Sequence, residues 1–164
     1  MALIEELQKK NPELFKSEYK EPPFQTIEEK IERLNLSESR IEVLKKMPVE
    51  DFTGSYNSDD YVMSYDVIDV DNLVGFKTAH FVKNWFDALG AEVLHKPLTL
   101  EMYDSDHPNK FDEYLIAENK NNPPSVIEID GKYFVDGDGT HRLTIAKVLG
   151  NKKARVVVRR SKSE

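Results

Sequence analysis

The stretch VIEIDGKYFVDGDGTHRLTIAKVLGNKKARVVV, Val126 to Val158, carries the most ordered pattern in the chain. Two short apolar-rich runs, Val126 to Ile129 and Lys132 to Val135, flank Asp130-Gly131. That dipeptide suits a two-residue type I′ turn, in which both central residues need positive φ, so a tight hairpin is predicted. Leu143 to Leu149 then reads as a helix, with Gly150 at its C′ position. Ala154 to Arg159 is β-branched and reads as a strand. The predicted order is hairpin, glycine loop, helix, strand.

The loop gathers Asp136, Gly137, Asp138, Gly139, Thr140, His141 and Arg142 at the point where a strand gives way to a helix. The first turn of a helix presents N–H groups without internal partners, and the helix dipole adds partial positive charge there. Glycines at 137 and 139 would let a phosphate approach those donors. Thr140 can cap the helix or bond a ligand oxygen. His141 adds a donor, and Arg142 can grip a phosphate through two parallel bonds. Asp136 and Asp138 suit Mg²⁺ arriving with the anion, not a bare anion. A plainer reading stands beside this one. Asp and Gly are ordinary turn residues, Asp138 or Thr140 an ordinary N-cap, and His141 and Arg142 could bond neighbouring elements.

Moving outward, Leu3, Ile4, Leu7 and Leu14 recur at near-helical spacing. Lys20 to Pro23 is a break, because proline disfavours helix in the residue before it. Thr26 and Glu29 have capping-box spacing ahead of an Ile27, Ile31, Leu34 stripe. A further helix is expected from Ser37 to Lys46, ending before Pro48. Residues 1–60 thus read as a helical N-terminal extension, and residues 61–164 as the main domain. Within the latter we expect a strand near 65–70, a helix from Thr78 to Leu89 stopped by Gly90, a strand from Leu98 to Tyr103, and a helix from Phe111 to Asn119. The fold class expected is α+β: a small mixed sheet with flanking helices, preceded by a helical arm.

Composition narrows the function classes. The 164 residues are 39% hydrophobic and 32% charged, with no run approaching the roughly 18 apolar residues of a membrane span. The opening MALIEELQKKNPELF lacks a basic n-region and a small-residue cleavage site, so neither a secretory signal nor a transit peptide is expected. There is no cysteine, which removes disulfides, thiolate nucleophiles and cysteine zinc sites, and fits a cytoplasmic chain. A formal charge of -7 argues against nucleic acid as a partner, except through a local basic patch. Lys152, Lys153, Arg155, Arg159, Arg160 and Lys162 form the one dense basic tract. On a terminal strand it reads first as a charged sheet edge that discourages aggregation.

Other clusters carry less. Asp59, Asp60, Asp66, Asp69 and Asp71 read as solvated acids at strand ends, although Asp69 and Asp71 on one face could share Mg²⁺. Tyr103 to His107 lacks a recognised ligand spacing. His80 and His95 lie beside apolar residues and read as structural, and Phe81 and Trp85 as core.

Pro123 to Gly150, PPSVIEIDGKYFVDGDGTHRLTIAKVLG, resembles the core signature of the ParB/sulfiredoxin superfamily (ParB-like nuclease domain), with the match clearest over about residues 123–158. A weaker likeness begins near Tyr65. The resemblance implies a hairpin feeding a glycine loop, a helix opening on a basic pair, and nucleotide phosphates seated at Gly139-Thr140-His141-Arg142. The superfamily includes partition proteins, ATP-using sulfiredoxins and small-molecule kinases. Thr140 stands where sulfiredoxins carry their catalytic cysteine, so sulfinic-acid reduction is excluded. Partition proteins more often show two arginines where this chain has His141 and Arg142. The His-Arg form looks more like the ATP-using branches.

These observations lead to a nucleotide-binding protein, with ATP as the first choice of nucleotide and Mg²⁺ as its companion, acting as a phosphotransferase or nucleotide hydrolase. Phosphates would lie on Gly137, Asp138, Gly139, Thr140, His141 and Arg142. His141 and Asp136 are the candidate catalytic groups, and Asp136 and Asp138 the candidate metal ligands. The ligand could equally be another phosphorylated small molecule. The alternative is a non-catalytic, DNA-associated or regulatory module of the same fold, touching its partner through the basic tract.

Overall fold

The computed structural model describes residues 25–53, 60–78, 82–96, 98, 102–118, 123–137 and 139–162. The helical pattern of residues 1–24, together with His80, Phe81 and Asp138, lies outside the described residues. Among those described, the chain forms four α-helices and one six-stranded mixed sheet. The helices are α1 (Ile27–Leu34), α2 (Glu38–Lys45), α3 (Pro108–Ile116) and α4 (Thr140–Leu149). The strands are β1 (Glu50–Asp51), β2 (Tyr61–Asp69), β3 (Leu73–Phe76), β4 (Ser125–Ile129), β5 (Lys132–Val135) and β6 (Lys153–Ser161). Strand order is β1-β3-β5-β4-β6-β2. Pairing is antiparallel for β4 with β5 and for β6 with β2, and parallel elsewhere. No helix among the described residues is long and apolar enough to cross a membrane.

Local signals set several of these elements. At the start of α1, the Thr26 hydroxyl accepts from the Glu29 N–H at 3.1 Å and the Glu29 carboxylate accepts from the Thr26 N–H at 3.2 Å. Ser37 caps α2 by accepting from the Arg40 N–H at 3.1 Å. Pro108 opens α3 at a position where its missing N–H costs nothing. In the hairpin, Asp130 and Gly131 have φ of 53° and 79°, the paired positive values a type I′ turn needs.

The core lies between the sheet and the helices. Leu34 and Leu44 join the same buried cluster as Ile68, Trp85, Val126, Leu143 and Val156. Each such aliphatic side chain contributes about 1.5–3 kcal/mol by leaving water. Two long cations tie helices to loops. The buried Lys30 ammonium donates to the carbonyls of Leu89 at 2.5 Å and Leu94 at 2.7 Å, and burial holds its pKa below the ordinary lysine value. Arg40 donates to the carbonyls of Val148 at 2.8 Å and Lys147 at 2.9 Å, satisfying the last turn of α4.

Some expectations fail for identifiable reasons. The helix from Thr78 to Leu89 is not formed over its described part, where only Asp87–Leu89 makes a 3-10 turn. Its backbone is drawn into tertiary bonds instead: Trp85 N–H donates to Met47 O at 3.0 Å, and Lys83 O accepts from Val49 N–H at 3.0 Å. Trp85 is nonetheless fully buried, its ring 5.3 Å from that of Phe76. Gly90 is extended, with φ -70° and ψ 170°, not a left-handed helix stop. Of the strand expected from Leu98 to Tyr103, residues 98, 102 and 103 are described and none joins the sheet. The Gln25 side chain bonds both the N–H and C=O of Leu98, taking the place of a strand neighbour. β2 runs longer than expected, α3 starts three residues earlier, and β1 and β3 went unanticipated.

Candidate functional site

The register of the hairpin places the glycine loop. Val126 pairs with Val135, so β5 ends there, and the next N–H, of Asp136, donates to Ser125 O at 2.8 Å. Gly137 turns with φ 85°. Gly139 follows as the N-cap of α4 with φ 86° and ψ 12°. A Cβ there would stand 2.4 Å from that of Pro124, so position 139 needs glycine for room as well as for backbone sign. No side chain at the N-cap bonds the first turn of α4. The Thr140 hydroxyl donates backwards to Gly137 O at 2.7 Å, bracing the loop.

Gly139, Thr140, His141 and Arg142 line one hollow of about 440 Å³. Lys96 adds a cation to the rim, and Met102, Phe111, Tyr114 and Ile145 supply an apolar and aromatic wall. His141 is half-buried, and its Nε2 accepts from the Lys96 N–H at 3.3 Å. Its ring meets that of His95 edge to face at 4.4 Å. Burial first, and then the nearby His95, Lys96 and Lys30, push its pKa down to about 4. His141 is therefore neutral near pH 7, and with Nε2 accepting, the proton sits on Nδ1. It can offer a hydrogen bond but no charge. The charge comes from Arg142, whose guanidinium lies 4.9 Å from the centre of the Tyr114 ring.

Asp136 and Gly137 do not line this hollow. The Asp136 side chain, 8% exposed, lies between Lys77, 3.3 Å from Oδ1, and Arg159 at Oδ2. Both carboxylate oxygens are thus matched to cations, and Mg²⁺ would have to displace one of them. Among the described residues there is no cluster of three or more His, Asp or Glu placed to hold a metal. Four of the six basic residues in the terminal tract also face carboxylates. Lys152 pairs with Asp112 at 2.7 Å, Arg155 with Glu118 at 3.5 Å, Arg159 with Asp136, and Arg160 with Glu128 and Asp66.

Of the acids near β2, Asp66, Asp69 and Asp71 have structural partners among the described residues. Asp69 accepts from the Asp71 N–H at 3.0 Å, and Asp71 from the Asn151 N–H at 3.2 Å. Asp104 bonds His107 at 3.0 Å, and that bond, first among its causes, holds the Asp104 carboxyl below its ordinary range. Sequence reasoning missed Lys96, Phe111 and Tyr114 as neighbours of the glycine loop. No local pattern marks them, because they arrive from a loop and from α3, far along the chain. In comparisons with known proteins, no family model, no curated protein and no solved structure matches this chain.

Proposed function

We propose that the hollow at the start of α4 binds a nucleotide, ATP by preference, and that the chain is a ParB/sulfiredoxin-like protein acting as a phosphotransferase or nucleotide hydrolase. One observation carries the reading: four consecutive residues, Gly139 to Arg142, share a hollow with Lys96 and an aromatic wall. The phosphates lie against the first-turn N–H groups, Arg142 and Lys96 balance their charge, and the base or sugar rests on Phe111 and Met102. A volume of about 440 Å³ falls within the roughly 300–1,000 Å³ of small-molecule sites. Thr140 and Gly137 hold the loop in shape. Neutral His141 donates to a phosphoryl oxygen or orients an acceptor. Mg²⁺ enters already bound to phosphate oxygens, as it commonly does, with Asp138 its candidate acid in the sequence. Phosphoryl transfer rests mostly on positioning and charge stabilisation, which such a set can supply.

The hairpin, glycine loop, helix and strand, in that order, support the ParB/sulfiredoxin reading of the fold. A DNA-associated module is the weaker alternative, since most of its basic tract is paired with carboxylates. It would reveal itself by affinity that falls steeply with salt.

The test is a thermal-shift series with ATP, GTP, CTP and their diphosphates, with and without Mg²⁺. A ligand at one hundred times its dissociation constant adds about 2.7 kcal/mol of stability. Arg142→Ala and His141→Ala should lose that gain while melting close to the parent. A parent protein that no nucleotide stabilises rules the proposal out.

A further inference from the structure

A second, smaller hollow of about 140 Å³ adjoins the first, and the two share Arg142 and Tyr114. Its other walls include Tyr65, Glu118, Pro123 and Arg155. We infer that it is a second anion subsite, in which Arg142 and Arg155 together hold one small oxyanion, a carboxylate or a phosphate, beside the nucleotide phosphates. The inference rests on the nucleotide reading for what lies next door, but not for its own chemistry.

Size comes first. The volume is well below the roughly 300 Å³ at which small-molecule sites begin, so the space suits one charged group and not a second nucleoside. Orientation comes next. The Arg142 guanidinium lies over the Tyr114 ring at 4.9 Å, and that of Arg155 over the Tyr65 ring at 5.3 Å. A guanidinium stacked on an aromatic face keeps its N–H edges as donors, the arrangement that grips oxyanions in bidentate fashion.

Charge decides the matter. Two like charges face one small space, an arrangement that an anion between them would relieve. The chain supplies half of that relief itself. Glu118, 79% exposed on its side chain, reaches back to place an oxygen 3.5 Å from Arg155 Nη1. Among the described residues no carboxylate pairs with Arg142. An ordinary surface pair of Arg155 with Glu118 would account for one arginine here, but not for the second. Glu118 then acts as a loose internal occupant that an incoming anion displaces.

That anion has two possible sources with the same chemistry: the acidic group of a second substrate, or the distal phosphate of the nucleotide itself. The experiment titrates inorganic phosphate into the full chain at constant ionic strength, followed by amide and arginine Nε–H shifts, for the parent, Glu118→Gln and Arg155→Gln. Neither position lines the larger hollow, and melting temperatures confirm that both variants fold. Glu118→Gln should bind phosphate about twofold to fivefold more tightly, the worth of an exposed ion pair. Arg155→Gln should bind it at least about tenfold more weakly, the loss of a charged hydrogen bond. Repeating the titration with AMP and with ATP separates the sources: displacement by ATP alone assigns the subsite to the nucleotide's tail, and retention with both assigns it to a second substrate. Phosphate that fails to bind the parent, or binds all three proteins equally, overturns the inference. A chain that ignores every nucleotide yet shows the Glu118 and Arg155 effects retains the subsite and loses only the nucleotide reading.

Discussion

Gly139 and Pro124 touch so closely that a methyl group on the glycine would lie 2.4 Å from the proline Cβ and 2.8 Å from its Cα. The contact locks the start of α4 against the chain entering β4. It thereby sets where the first-turn N–H groups point. Gly137, two residues earlier, has almost the same backbone sign, φ 85° against 86°, but open space around it. The two glycines therefore separate the cost of backbone sign from the cost of crowding. Gly137→Ala should lose about 1 kcal/mol, the left-handed penalty alone. Gly139→Ala should lose about 1–3 kcal/mol more, from overpacking against Pro124. Denaturant titration of the pair measures both, and equal losses would show that the Pro124 contact yields freely.

Arg40 secures the opposite end of the same helix. α4 has ten residues, so the Arg40 bonds to Lys147 O and Val148 O lie about 15 Å from the glycine loop. Arg40→Met should cost about 1–3 kcal/mol, through two carbonyls left without their charged donor. Ligand affinity at the hollow should stay within about twofold once the protein is folded, because the first turn of α4 is held separately by Pro124 and Gly137. Denaturant midpoints and a binding titration on one preparation check both halves.

Asp136 offers a test between two roles. If its carboxylate serves to neutralise Lys77 and Arg159, Asp136→Asn should destabilise the fold by about 1–3 kcal/mol, the cost of removing the negative charge that faces both cations. Any nucleotide binding would then keep its Mg²⁺ dependence. If Asp136 instead ligates Mg²⁺, the substitution should abolish the Mg²⁺ dependence. Calorimetric titrations with and without Mg²⁺ tell these apart.

His141 should leave a mark on the pH dependence of stability. Its pKa is about 4 in the folded chain against an ordinary 6.5. Between those values the unfolded chain binds more protons, so stability falls as pH drops from about 6.5 towards 4, and this contribution is constant above 6.5. His141→Gln should flatten that part of the profile relative to the parent. The difference between the two curves is the quantity to read, because Asp104, held low by His107, also loses stabilisation in acid.

Local chemistry was legible wherever a short-range rule governs the backbone. The Thr26 and Ser37 caps, the Asp130-Gly131 turn and the glycine at the start of α4 all depend on residues a few positions apart and are found where the sequence places them, whereas α4 opens three residues before the expected Leu143 and Gly150 is its C-cap, with ψ 154°, not a left-handed C′ residue. Segments whose hydrogen bonds go to distant partners were not legible. Trp85 donates to Met47, and Leu98 bonds Gln25, so helical or strand-like patterns there did not decide the conformation.

The amino-acid order thus determined the strand-to-helix turn at Gly137 to Arg142, because glycine sign preferences and helix-end donors act within a few residues. Only the tertiary structure decided what surrounds that turn. It brought Lys96, Phe111 and Tyr114 to one side and paired Asp136 with Lys77 and Arg159, and it set Arg155 with Glu118 beside Arg142. Burial and charge pairing depend on which distant segments the sheet order makes neighbours, and no local spacing encodes that.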